Sequence, residues 1–315
     1  MKLAVIINST DRVLIASRYK YITLLKKIYA DDVQIHDERR FNRALLSRPD
    51  YAVVFGSFRT TYKLPLARKM KYILCDHDIT SLYRPGEAFD ERRKILGSSK
   101  IIFTSPDHQA YICNQYDYPV ERTMVLYLRP SADDLNFEPL GKSPGKNLVY
   151  IGGLLDDTFQ THKQGRFSYR CYADIFTQII KEGWAVHLYA ARKSPEIYKK
   201  IGCTYHPRVP EGIELYRELS QYTAGMQGFA NHNQAYEYAK TCRPNKIWNY
   251  LAGGIPTIGI NSGNGAELFE GKWGYELRDV QKINNLDFSL LDLKHYREKE
   301  VIEIQAEELK RFIES

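Results

Sequence analysis

Short apolar runs, several rich in β-branched residues, alternate along the chain with longer stretches of helical periodicity. Such alternation is typical of a parallel sheet covered by helices on both faces. In the first half it predicts helices near residues 18–29, 87–96 and 106–115, between strands at Leu3–Ile7, Tyr51–Phe55, Tyr72–Cys75, Ile101–Thr104 and Thr123–Leu128. We therefore expect an α/β domain in this half.

A second series of the same kind follows the segment 139–147, which contains two prolines and two glycines and is typical of a linker. Helices are predicted at about 168–181, at 194–202 and after Pro244, and strands at Leu148–Ile151, Ala185–Ala190, Gly225–Phe229 and Pro256–Ile260. The sequence thus predicts two α/β domains, at 1–140 and 147–293.

The last segment, 294–315, mixes Glu, Lys and Arg with apolar residues at helical spacing. This pattern predicts one amphipathic helix. Because its polar face carries both signs of charge, we expect it to pack on the body of the protein rather than on a membrane.

The composition is that of an ordinary folded protein, since 43% of the 315 residues are hydrophobic and 26% are charged. The apolar run Leu3–Ile7 is too short for a signal-peptide core or a membrane span. The five cysteines are odd in number and widely scattered, which favours reduced thiols. We expect a cytoplasmic protein without integral membrane contact.

The net charge of +7 is unevenly distributed. No acid occurs between Asp50 and Asp76, where the cations are Arg59, Lys63, Arg68, Lys69 and Lys71. Two interpretations remain open: a solvated helix face, or contact with an anionic partner such as a phosphorylated acceptor, a nucleic acid or an acidic lipid surface.

Several common catalytic motifs are missing from the sequence. It contains no P-loop lysine motif, and no Gly-x-Gly-x-x-Gly follows the first predicted strand. It also lacks a His-Glu-x-x-His pair, and its one Gly-x-Ser-x-Gly match, Gly141–Gly145, lies in the proline- and glycine-rich segment 139–147 and not in the strand-to-helix turn of a nucleophile elbow. These absences disfavour a P-loop ATPase, a dinucleotide oxidoreductase, a serine hydrolase and a zinc protease.

The segment 242–260 predicts a loop, a helix that starts at Pro244, a turn at Gly253-Gly254 and a strand. The amino terminus of such a helix offers free N–H groups to a phosphate. Arg243 and Lys246 lie where cations disfavour the helix itself, so a bound anion would account for them. The alternative is that they are surface cations beside a structural turn.

Other segments accompany this one in a fixed order along the chain: Cys75-Asp76-His77-Asp78, Ser105-Pro106, Leu148–Gly153, Trp184–Ala190, Gly225–Phe229, and Gly263, Gly265 and Glu267. Together they resemble the GT-B glycosyltransferases, in particular the glycosyltransferase family 4-like group. The resemblance implies an α/β fold of two Rossmann-like domains that face each other across a cleft. It also implies an acceptor held by the first domain and a nucleotide sugar held by the second.

The resemblance implies roles for individual residues of the second domain. Arg243 and Lys246 would lie near the diphosphate and Asn249 near the ribose. Gly153, Asn245 and Gly265 would also bind the donor, with Lys163 and Arg166 as secondary phosphate candidates. The family usually carries two glutamates where this chain has Thr241 and Asn249. That departure leaves the donor and the stereochemical outcome open.

The triplet Asp76-His77-Asp78 has two interpretations. As Asp-x-Asp after an apolar strand it could hold Mn²⁺ or Mg²⁺, as GT-A glycosyltransferases do. In the GT-B interpretation, which the donor segment favours, His77 and Asp78 orient the sugar or the acceptor hydroxyl. We then expect no metal and no cofactor beyond a UDP-sugar.

The sequence therefore predicts a metal-independent glycosyltransferase with His77, Asp78 and Lys246 as its catalytic residues. Its partners would be a nucleotide sugar and a hydroxyl acceptor, either DNA with a modified base or another anionic polymer such as a surface glycan. Two alternatives remain: a nucleotide-sugar epimerase of the same fold, and a non-catalytic module that binds polyanions or nucleic acid.

Overall fold

The computed structural model describes residues 1–7, 15–37, 49–55, 69–77, 79–83, 85–155, 170–190, 196–230, 241 and 244–315. The chain divides into two compact units, Met1–Leu128 with Ile302–Ser315, and Arg129–Val301. No helix of the described ranges is long and apolar enough to cross a bilayer.

Each unit contains one parallel six-stranded sheet. The first has the order β2-β1-β3-β4-β5-β6 and the second the order β12-β11-β10-β7-β8-β9. The strands are β1 Leu3–Ile7, β2 Val33–Asp37, β3 Tyr51–Phe55, β4 Tyr72–Asp76, β5 Lys100–Phe103, β6 Thr123–Val125, β7 Asn147–Ile151, β8 Ala185–Tyr189, β9 Thr204–His206, β10 Ala224–Gly228, β11 Thr257–Ile260 and β12 Gly274–Leu277. Counted within its own unit, the second sheet has the Rossmann order 3-2-1-4-5-6.

Ten α-helices are described beside these strands. They are α1 Ile15–Tyr29, α2 Thr80–Tyr83, α3 Ala88–Leu96, α4 Pro106–Tyr116, α5 Ala173–Lys181, α6 Glu196–Lys200, α7 Ile213–Leu219, α8 Lys246–Ala252, α9 Leu293–Lys299 and α10 Ala306–Glu314. Helix α4 shows how the sequence sets such bounds. The Ser105 side chain caps its first turn, and Asp117 ends it in the left-handed conformation.

The sheets are covered on both faces, as β1 illustrates. Leu3 and Val5 pack into a core that includes Leu24 of α1, whereas Ala4 and Ile6 pack into another core on the opposite face. Successive strand residues point to opposite faces, so a strand buried on both sides must be apolar throughout. The predicted α/β class is confirmed.

The predicted linker is not where the chain passes between the units. That passage lies at Leu128 and Arg129, whereas the segment 139–147 belongs to the second unit. Its backbone is tied down there, since Leu140 N–H donates to Ser220 Oγ at 2.9 Å and Ser143 N–H to the Gln221 carbonyl at 2.9 Å. The prolines and glycines of this segment therefore shape an anchored connection.

The predicted C-terminal helix is divided between the two units. Arg297 of α9 donates to the Ala252 carbonyl in the second unit, whereas Leu309 and Ile313 of α10 are buried in the core of the first. Helix α10 thus buries an apolar face in the first unit, whereas α9 has no buried residue and contacts the second unit through Arg297 and through the Tyr296 ring, 5.4 Å from that of Trp273.

The carboxyl end of β4 is held by a buried ionic group. Lys94 Nζ donates to Asp76 Oδ1 at 2.6 Å and His108 Nε2 donates to Oδ2 at 3.1 Å, and all three side chains are buried. Burial alone would raise the pKa of Asp76, but Lys94 and His108 hold it well below its usual range.

This group predicts the effect of replacing Lys94. Lys94→Met leaves a buried carboxylate without its ammonium partner, so we expect the free energy of unfolding to fall by about 3–5 kcal/mol in denaturant titrations. Asp76 titrates lower in the folded than in the unfolded chain. Its contribution is therefore present above the unfolded pKa and is lost as pH falls through the folded pKa. We also expect a flatter acid dependence in Lys94→Met.

A matched control is Arg92→Met, because Arg92 is exposed on the same helix. Asp76→Asn combined with Lys94→Met should recover part of the loss, since that double variant buries no charge. Equal losses in Lys94→Met and Arg92→Met would contradict the assignment.

Candidate functional site

The strand order of the second unit reverses between β7 and β10, which lie side by side although β8 and β9 come between them in the chain. In open parallel sheets, ligands bind outside the carboxyl ends of the strands at such a reversal. Strand β7 ends at Ile151 and is followed directly by Gly152 and Gly153, so these glycines lie at the expected position.

Both glycines have a cationic side chain close by. Gly152 has a φ of +134°, which disfavours any other residue, and a Cβ there would lie 3.6 Å from Lys246 Nζ. A Cβ at Gly153 would lie 2.8 Å from Arg170 Nη1. The structure thus brings Lys246 and Arg170 to the same turn of backbone.

The Lys246 ammonium is held over an aromatic ring. Its Nζ lies 4.1 Å from the centroid of Tyr150, whose hydroxyl donates to the Gly153 carbonyl at 3.0 Å. Tyr150 in turn packs on Tyr172 with ring centroids 4.9 Å apart. The cation–π contact and the fixed ring limit where the ammonium can lie.

Arg170 was not predicted from the sequence. Its carbonyl accepts hydrogen bonds from Leu155 N–H at 3.2 Å and from the Tyr198 hydroxyl at 3.4 Å, so its backbone is fixed. The available signal was that it follows Lys163 and Arg166 in the same polar segment. Nothing in the spacing distinguished Arg170 from those two residues.

Helix α8 begins later and is shorter than predicted. Its first residue is Lys246, two residues after Pro244, and it is seven residues long. Asn245 occupies the N-cap position but makes no capping hydrogen bond with its side chain, and Asn249 is buried. Gly253 and Gly254 follow its end, as predicted.

The turn after β11 contains Gly265. Gly263 has a φ of +59°, and Gly265 N–H donates to the Ser262 carbonyl at 3.2 Å. Gly265 is buried in a 3₁₀ helix over Gly263–Leu268. The predicted glycine is therefore part of a closed turn at the carboxyl edge of the sheet.

His77 follows β4 in the first unit. Its ring lies against Tyr21 and Phe55, with centroid separations of 5.4 and 6.1 Å. Its neighbour Asp76 is the first acid of the Asp-x-Asp triplet, and both of its carboxylate oxygens are already hydrogen-bonded, one to Lys94 and one to His108. That pairing argues against Asp76 as a metal ligand.

Four predicted site residues lie outside the described residues: Asp78, Lys163, Arg166 and Arg243. Of the cations in the acid-free stretch, Arg59, Lys63 and Arg68 also lie outside, whereas Lys69 and Lys71 are exposed. The assigned roles of all predicted site residues stay predictions.

The comparisons with known proteins bear on the fold. No protein-family model matches the chain, and no curated protein matches it in sequence. Solved structures do match. Anabaena HepE in complex with UDP-glucose is 12% identical with a TM-score of 0.63, and the match covers 99% of both chains.

Two further structures match over nearly the whole chain. A glycosyltransferase from Rickettsia africae is 11% identical, with a TM-score of 0.58 over 99% of this chain and 98% of that one. The UDP-GlcNAc 2-epimerase of Methanocaldococcus jannaschii is 11% identical, with a TM-score of 0.56 over 99% of both chains. The narrower assignment to the family 4-like group stays a prediction. The resemblance is confirmed for the fold: the chain has the GT-B architecture of two Rossmann-like domains.

Proposed function

We propose that this protein is a glycosyltransferase that moves a sugar from a UDP-sugar to a hydroxyl acceptor. The observation that carries the proposal is the pair of cations, Lys246 and Arg170, beside Gly152-Gly153 where the second sheet reverses its order. Glycines allow a diphosphate to approach the backbone closely, and two cations offset its charge.

The chemistry of sugar transfer needs this arrangement. As the bond between the anomeric carbon and the diphosphate breaks, negative charge accumulates on the departing UDP. Preorganised cations stabilise that charge most effectively when they need not move. Tyr150 holds the Lys246 ammonium, and hydrogen bonds to the Arg170 carbonyl fix the backbone that carries the second cation. HepE binds UDP-glucose on the same fold, which supports a uridine nucleotide as the donor.

Metal independence is part of the proposal. Lys246 and Arg170 supply positive charge where a divalent ion would otherwise be needed. The pairing of Asp76 with Lys94 and His108 supports this view, because it occupies the carboxylate of an Asp-x-Asp metal site.

For the acceptor we propose an anionic molecule, either DNA with a modified base or a surface glycan. The support is the acid-free stretch between Asp50 and Asp76, of which the described Lys69 and Lys71 are exposed. His77 and Asp78 would orient the acceptor hydroxyl or the sugar.

A second candidate function is epimerisation of a nucleotide sugar. The match to a UDP-GlcNAc 2-epimerase favours it, since that enzyme has the same fold. The two functions differ in one requirement: a transferase needs an acceptor, whereas an epimerase converts its nucleotide sugar alone.

The proposed function first predicts that the protein binds uridine nucleotides. UDP and UDP-sugars should raise the melting temperature by several degrees, because a ligand at about 100 times its Kd adds about 2.7 kcal/mol of stability. A thermal-shift panel with UDP, GDP, ADP and CMP, with and without Mn²⁺, measures this. No shift with any nucleotide would favour the non-catalytic polyanion-binding module.

The second prediction concerns the cations. Lys246→Met and Arg170→Met should each lower kcat/KM roughly 100- to 1000-fold, since each removes a preorganised stabiliser of the leaving diphosphate. Steady-state kinetics with the donor found above measures this. Lys282→Met is the control, because Lys282 is an exposed lysine of the same unit. A rate equal to that of the control would remove the residue from the mechanism.

The third prediction separates the two functions. Incubation with the donor alone should release UDP only slowly, and an added acceptor should accelerate release. Parallel reactions with DNA containing hydroxymethylated bases and with an acidic glycan identify the acceptor. Rapid interconversion of the nucleotide sugar without acceptor would instead establish the epimerase.

A further inference from the structure

Two polar side chains, Gln227 and Glu276, lie on the face of the second sheet that α8 covers at β10. On β10, a Cβ at Gly225 would overlap the Tyr250 ring of α8, so that side of the strand faces the helix. Gln227 lies two residues further on and shares that side. The strand register pairs Gln227 with Gly259 and Gly259 with Glu276, so the three form a row across β10, β11 and β12.

Glycine in the middle of this row gives Glu276 room. A Cβ at Gly259 would overlap Glu276 Oε2, so the carboxylate occupies the space above β11 that a side chain at 259 would fill. It also comes close to Ser262, since the same Cβ would lie 2.7 Å from Ser262 Oγ. The carboxylate therefore reaches across the neighbouring strand to the segment that follows it.

The carboxylate fixes the start of the turn after β11. Ser262 N–H donates to Glu276 Oε1 at 2.8 Å, and the Ser262 carbonyl accepts from Gly265 N–H at 3.2 Å. On the other side, Asn261 Nδ2 donates to the Phe229 carbonyl at 3.3 Å, which ties the segment to the end of β10. Glu276 is thus linked to Gly265 through Ser262, which is hydrogen-bonded to both residues.

This acid is costly to the fold. Burial raises the pKa of Glu276, the hydrogen bonds from Ser262 oppose the rise, and the nearby acid Glu270 adds to it. No cation contributes among the described residues. Oε2 is buried without a hydrogen-bond partner in the described part of the chain. A neutral side chain would be more stable here, so stability alone does not account for the glutamate.

We propose that Glu276 is a positioning residue for nucleotide binding, which holds the turn Ser262–Gly265 in the conformation that contacts the nucleotide. This inference rests on the proposed function, because it takes the turn to be part of the UDP-sugar site. Loss of the carboxylate or of its charge leaves Ser262 N–H with a weaker acceptor and loosens the turn.

The test uses the full-length protein with Glu276→Leu, Glu276→Gln and the control Glu270→Gln, whose residue is exposed. Calorimetry gives the Kd for UDP, and we expect a loss of about tenfold in Glu276→Leu and under about threefold in Glu276→Gln, which keeps an acceptor oxygen. Glu270→Gln should bind like the wild type. Glu276→Gln should melt no lower than the wild type, because it buries no charge and keeps an acceptor for the Ser262 N–H.

The pH dependence gives a readout that a merely structural role would not move. The wild type should bind UDP more weakly as pH falls through the raised pKa of Glu276, because the protonated acid is a weaker acceptor. UDP itself also titrates, so the decisive quantity is the extra pH dependence of the wild type over Glu276→Gln. Identical pH profiles would overturn the proposal even if Glu276→Leu failed to fold.

Amide hydrogen exchange at Ser262 and Gly265 distinguishes the two ways of failing. If the wild type binds no nucleotide, the proposed function fails and the nucleotide role of Glu276 fails with it. Faster exchange in Glu276→Leu would then still show that the acid positions the turn. If UDP binds and neither exchange nor Kd changes in Glu276→Leu, the positioning role alone is overturned.

Discussion

Every strand pair of the two sheets described here is parallel, and this constraint decides where chemistry can occur. Parallel strands place all their carboxyl ends on one edge, and helices cover both faces. A ligand can therefore reach the backbone mainly at that edge, where the order of the strands reverses. In the second unit, Gly152, Gly153, Arg170 and Lys246 meet at this position.

Close approach of backbone and side chain recurs through the second unit. Gly153 leaves room for the Arg170 guanidinium, Gly225 for the Tyr250 ring, and Gly259 for the Glu276 carboxylate. Each contact needs the space that a Cβ would occupy. Tyr150 holds the Lys246 ammonium in the absence of a ligand, and hydrogen bonds to the Arg170 carbonyl fix the backbone from which its guanidinium extends. Such preorganisation is what stabilisation of a leaving diphosphate requires.

The two units treat a buried acid in opposite ways. Asp76 is paired with an ammonium and an imidazole, so its charge contributes to stability. Glu276 has no cationic partner among the described residues and accepts hydrogen bonds from Ser262. The first arrangement holds a strand end in place. The second places a carboxylate where burial disfavours its charge.

The sequence alone is enough for the α/β class and for two series of alternating strands and helices, because strands buried on both faces must be apolar throughout. It missed β2, β9 and β12, which are edge strands, and an edge strand need not show a continuous apolar run. It points to Lys246 but not to Arg170 or Glu276, the other residues of the proposed site, because their positions depend on register and on glycines in neighbouring strands. The fold in three dimensions is needed to show where the chain passes between the units and which unit each part of the C-terminal segment contacts. The physical reason is that the spacing of apolar residues indicates which face of a helix or strand is buried, but does not indicate which other element covers that face.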